Sequence, residues 1–157
     1  MDKLQDLVAA ALDDFKKVAA LADAEFLAGN IAVEILPKPH KPPTALPAGK
    51  MAVYAFFLNA RALKVGKVGP NSGPRYTSQH YNPNSSNSNL ARSILAAPAK
   101  IGAADVHLST IGDWIKRETD RVNLLVPQSL GDPMLSLLES FLHVRWKPIF
   151  EGRAESG

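Results

Sequence analysis

Cysteine is missing from this 157-residue chain. Its absence rules out disulfide staples, thiolate metal sites and a cysteine nucleophile, and makes a cytoplasmic setting the expectation for localisation. Long apolar runs are missing too. No stretch approaches the roughly 20 residues that cross a bilayer. The opening Met1-Asp2-Lys3-Leu4-Gln5-Asp6 interleaves acids with apolar residues, unlike the basic-then-apolar order of a signal peptide. Acid is missing from one long segment. Between Met51 and Ala104 there is no aspartate or glutamate, while Arg61, Lys64, Lys67, Arg75, Arg92 and Lys100 are all basic. Charge of one sign over that length suits a polyanionic partner; the alternative is a solvated basic face. The acids crowd elsewhere, with Asp2, Asp6, Asp13, Asp14, Asp23, Glu25 and Glu34 in the first fifty residues.

The rest of the composition, 46% hydrophobic and 21% charged, is that of a globular chain able to build a core. Its length suits one domain with a short appendage. Leu4, Leu7, Val8, Ala11, Leu12, Phe15, Val18 and Ala22 recur at helical spacing, predicting a helix over 2–28 stopped by Gly29-Asn30. Ile31 to Leu36 reads as a short edge strand, and the proline-rich stretch from Pro37 to Pro47 as a semi-stiff spacer. The expected division is therefore an N-terminal extension (1–36), a linker (37–50), a body (51–152) and a tail (153–157).

Within the body, Met51 to Leu58 is aromatic and β-branched, hence a strand covered on both faces. Ala62 to Gly69 is a second strand after a loop at Asn59-Ala60-Arg61. Arg75 to Tyr81 reads as short helix, 82–87 as a polar loop, and a helix starts at Ser88. Trp114-Ile115-Lys116 and Arg121 to Val126 read as one bent strand or two short ones. Asp132 caps a last helix with Pro133 at its first position, and Arg145 to Phe150 closes the fold. The fold class expected is α+β: a small three-stranded antiparallel sheet flanked by helices and preceded by an N-terminal helix.

This order of elements, with these residues in it, resembles the GIY-YIG endonuclease superfamily over about two-thirds of the chain. Ala52-Val53-Tyr54 matches the first name motif and Lys64-Val65-Gly66 the second. Arg75, with His80 and Tyr81 beyond it, matches the first-helix pattern, and Glu139 the metal-binding glutamate. Alanine stands for the leading glycine of the first motif. Lysine stands for the tyrosine of the second, as in similar restriction enzymes. The resemblance implies a metal-dependent endonuclease, restriction- or defence-like, that uses Mg²⁺ or Mn²⁺ on Glu139. Tyr54, Lys64, Arg75, His80 and Glu139 would be its catalytic residues, and DNA its partner, cut by a homodimer. Lys67, Tyr81 and Arg92 are candidate DNA contacts. The alternative is a nucleic-acid-binding module on the same scaffold with weak or no turnover.

Strand geometry bears on this separately. Side chains alternate faces, so the hairpin loop decides which are co-facial. A three-residue loop at 59–61 sets Leu58 opposite Ala62 and Tyr54 opposite Gly66, with Lys64 on the Tyr54 face and Lys67 turned away. A two-residue loop would separate Tyr54 from Lys64.

Phosphodiester hydrolysis needs an activated water, charge stabilisation on the phosphoryl oxygens and help for the leaving oxygen. Arg75 offers an always-charged fork for phosphate, and Glu139 a hard oxygen ligand for Mg²⁺. Tyr54 is expected to deprotonate or position the nucleophile, with Lys64 lowering its pKa. Each residue also has a plainer reading: Tyr54 as core, Glu139 as a helix-edge acid, Lys64 as edge protection, His80 as a turn cap.

Overall fold

The structure, a computed structural model, describes residues 2–24, 28–86 and 88–150. The expected tail at 153–157, the last part of the predicted first helix at 25–27, and Asn87 lie outside these residues. In chain order the elements are α1 (Asp2–Leu21), β1 (Ala32–Leu36), β2 (Lys50–Leu58), β3 (Arg61–Val68), α2 (Gly73–Thr77), α3 (Leu90–Ala96), α4 (Ile111–Glu118), β4 (Asp120–Pro127) and α5 (Asp132–Trp146).

The fold is α+β, as composition and pattern predicted, but its antiparallel sheet has four strands in the order β1-β4-β2-β3. The fourth is β1, which pairs with β4 from Ala32↔Leu125 to Leu36↔Arg121. Ile31 to Leu36 was thus legible as an edge strand, and the error was to count it with a separate extension. α1 is likewise part of the body. Its Leu4, Val8, Ala11, Phe15 and Ala19 form one buried cluster with Met51, Val53, Ala55 and Phe57 of β2 and Leu135, Leu138 and Leu142 of α5. The helix ends at Leu21, before the Gly29-Asn30 stop.

The proline-rich segment is not a free spacer. The Lys38 amide donates to Asp120 Oδ1 at 2.8 Å and the His40 amide to the Lys116 carbonyl at 2.8 Å, strapping the segment to the α4–β4 junction. Three smaller expectations also shift. Trp114-Ile115-Lys116 is helical, because Ile111 and Ile115, four apart, bury one face of α4. The helix expected from Ser88 begins at Leu90, where the Asn89 side chain caps the Arg92 amide. Gly131, not Asp132, occupies the N-cap of α5, and no side-chain cap bond forms there.

The sheet is covered on both faces. α1 and α5 cover the face bearing Val53 and Phe57. The Tyr76–Tyr81 region, α3 and α4 cover the face bearing Ala52, Tyr54 and Phe56. At the end of the strand order, β3 keeps one edge free of strand partners.

Candidate active site

The β2–β3 hairpin decides which side chains meet. Its turn has two residues, not three: Leu58 pairs with Arg61 and Phe57 with Ala62. Asn59 (φ 51°) and Ala60 (φ 64°) are both left-handed, as a type I′ turn requires. Alone, that turn would send Lys64 to the face away from Tyr54. A bulge prevents this. Phe56 pairs with Lys64, so Leu63 is an extra residue in β3 and the register beyond it moves by one. Tyr54 therefore lies opposite Gly66, Lys64 shares its face, and Lys67 lies opposite Val53 on the other. The predicted register holds although the predicted loop does not.

Two cross-strand rows result on this face. One runs Glu34, Asn123, Tyr54, Gly66; the next runs Leu36, Arg121, Phe56, Lys64. Gly66 is required where it stands, since a Cβ there would overlap the Tyr54 hydroxyl and ring. Tyr54 is fully buried, and its hydroxyl lies 2.5 Å from His80 Nε2. On the other side of that imidazole, the Leu90 amide donates to Nδ1 at 3.1 Å. Burial pushes the Tyr54 phenol up to about 12, against the pull of Arg75 and Arg121, while Glu139 adds to the rise. This corrects the expectation that Lys64 would make Tyr54 a usable base: desolvation of the anion outweighs the cations around it. His80 is held well below its ordinary value by burial, reinforced by Lys64, Arg75 and Arg121.

The site opens at the free edge of β3. A cavity of about 800 Å³ is lined there by Lys64, Gly66 and Lys67 of β3, Arg75 of α2, and Glu139 and His143 of α5, among others. Glu139 rides on the helix packed against the face opposite Tyr54. It reaches the Lys64–Arg75 side around the strand edge, close enough for its charge to bear on Tyr54. Lys67 donates to Ser136 Oγ at 2.7 Å and stands 4.0 Å from the Glu139 carboxylate. Arg75 Nη1 holds the Ser88 carbonyl at 3.4 Å.

Of the predicted residues, Lys64, Lys67, Arg75 and Glu139 line this cavity, and Tyr54 and His80 lie buried behind Gly66. Arg92 is exposed on α3 and does not line it. Tyr81 faces inward. Its hydroxyl is 2.7 Å from His40 Nε2 and accepts from Arg121 Nη1 at 3.1 Å, so it is a core residue and not a DNA contact.

Sequence reasoning missed Arg121. It is fully buried and donates to Asn123 Oδ1 (2.8 Å), Tyr81 Oη (3.1 Å) and the Tyr76 carbonyl (2.7 Å). Its guanidinium lies 5.4, 5.2 and 4.9 Å from the ring centres of Tyr54, Phe56 and Tyr76. The signal was present: Arg121 and Asn123 are two polar residues on one face of an otherwise apolar strand.

Glu139 is the single carboxylate lining the cavity, and no cluster of three or more His, Asp or Glu side chains exists among the described residues. That donor set fits Mg²⁺ or Mn²⁺, which keeps several waters and takes further oxygens from a bound phosphate; it does not suit an ion enclosed by protein ligands. Comparison with protein-family models, with characterised proteins and with solved structures returns no match.

Proposed function

We propose that this chain is a metal-dependent nuclease of the GIY-YIG type, hydrolysing phosphodiester bonds in DNA at the cavity beside β3. The observation that carries the reading is the convergence of Lys64, Lys67, Arg75 and Glu139 on one concavity, with Tyr54 and His80 directly behind it. Three cations and one carboxylate suit a phosphodiester better than a neutral or cationic ligand. In the proposed reaction Arg75 grips two phosphoryl oxygens, and Lys64, buried on the same face as Tyr54, adds positive charge where the transition state gains negative charge. Glu139 would hold the metal ion, which supplies Lewis-acid stabilisation of the leaving oxygen. A cytoplasmic setting, and a dimer that brings two such sites to the two strands of a duplex, complete the proposal. No helix among the described residues is long and apolar enough to cross a membrane.

One observation favours a second reading, a nucleic-acid-binding module without turnover. The Lys67 ammonium stands 4.0 Å from Glu139 and competes with a metal for its charge. Incubating wild type and Glu139→Ala with plasmid, single-stranded DNA and RNA, with and without Mg²⁺ or Mn²⁺, separates the two. The nuclease reading expects metal-dependent cleavage that falls about 100-fold or more in Glu139→Ala. Salt-sensitive binding without cleavage under any metal would leave the binding module.

A further inference from the structure

We propose that Tyr54 acts on the substrate as a neutral hydrogen-bond donor, and that His80 is the positioning residue that keeps it one. The proposal rests on the phosphodiester reading of the same cavity and names the part Tyr54 plays in it.

The argument is an inventory of protons. The Leu90 backbone N–H points at His80 Nδ1 from 3.1 Å. A backbone amide can only donate, so Nδ1 meets it with a lone pair. A neutral imidazole then carries its one proton on Nε2, and Nε2 faces Tyr54 Oη at 2.5 Å. The direction of that bond is thereby fixed: His80 donates and the Tyr54 oxygen accepts. His80 has no lone pair left with which to take a proton from the phenol. The phenol's own proton is the one this pair leaves for another acceptor.

The surroundings hold both groups in these states. The charged groups facing the pair are Lys64 on β3, Arg75 on α2, Arg121 on β4 and Glu139 on α5. Burial depresses His80 and raises Tyr54, so the imidazole stays uncharged and the phenol stays protonated through neutral pH. Position supplies the acceptor. The hydroxyl lies against Gly66, where a side chain would overlap it, and close to Arg75; both residues line the cavity. A phosphate gripped by Arg75 brings a non-bridging oxygen to that wall, and a buried neutral donor aimed at developing negative charge stabilises it strongly. A general base at this place would need a partner to receive the phenolic proton, and His80 is oriented against that role.

The test replaces Tyr54 with 3,5-difluorotyrosine, a more acidic phenol of nearly the same shape, and follows cleavage against pH with Mg²⁺. Donor action predicts that the acid limb of the rate profile stays where it is, while an alkaline limb moves to lower pH. An acid limb that shifts downward with the phenol's acidity would mean that the phenolate is the active form, and would overturn the proposal. Tyr54→Phe should lower kcat by about 10²–10³-fold with little change in KM; an unchanged kcat would remove the donor. ¹⁵N NMR of the wild type reads His80 directly. Protonated Nε2 with bare Nδ1 between pH 6 and 8 is expected, and the opposite tautomer sinks the assignment whether or not any cleavage is seen. Failure of the wild type to cut any nucleic acid with either metal would instead overturn the nuclease reading and the substrate role of Tyr54 with it.

Discussion

Gly66 and Tyr54 face each other across β3 and β2, and each restricts what the other can be. Any side chain at 66 would drive into the phenol, whose ring is enclosed by Phe56, His80 and Arg121 and has little room to yield. Gly66→Ala is therefore expected to cost about 1–3 kcal/mol, as overpacking of a close-packed interior does. It should also separate the phenol from His80. Urea denaturation and a cleavage assay on the same protein check both effects; an unchanged midpoint would show that the ring moves freely. The residue types at Tyr54, Lys64, Arg75 and Glu139 could be picked from the sequence because their chemistry and order form a pattern. Arg121 and His40 could not. What makes them matter is enclosure: Arg121 is sealed beneath three aromatic rings, and His40, from a stretch that reads as a spacer, is 5% exposed. Nothing local to either residue encodes that.

Among the elements, the β2–β3 hairpin shows two features of opposite effect cancelling. A two-residue turn and a bulge at Leu63 together give the register that a three-residue loop alone would give. Binary patterning sees only which residues must face which core, so it recovers the register and is blind to how the backbone achieves it. The turn carries a cost, because Ala60 sits at φ 64°, where a Cβ is strained. Ala60→Gly should stabilise the protein by about 1 kcal/mol and leave the sheet register unchanged, observable as a higher Tm with unaltered activity. A lower Tm would mean that Ala60 makes contacts worth more than the strain. The Trp114-Ile115-Lys116 error has a similar origin. Aromatic and β-branched residues favour strand, but burial of Ile111 and Ile115 on one helical face overrides that preference.

For the whole molecule, the buried titratable groups define a pH window. His40 and His80 are both depressed by burial below their ordinary 6.5. Below that pH the unfolded chain takes up protons that the folded one refuses, so stability falls as pH drops. Tyr54, Tyr76 and Tyr81 are raised by burial above their ordinary 10.0. Above that pH the unfolded chain releases phenolic protons that the folded one keeps, so stability falls again as pH rises. Thermal melts from pH 5 to 11 should trace a plateau between these limits, and a Tm that climbs below pH 6 would contradict neutral, buried histidines. The sequence by itself determined the α+β class, the hydrophobic faces of α1, β2 and α5, the acid-free basic segment and the residues fit for phosphate chemistry. These follow from periodicity and side-chain type, which are local properties. Only the tertiary structure decided that β1 and the proline-rich strap belong to the body and that Glu139 meets Arg75 around a strand edge. It also set the protonation of Tyr54 and His80 by desolvation and by a single amide from Leu90. Burial and bond direction depend on what distant segments place beside a group, and a linear pattern does not carry that information.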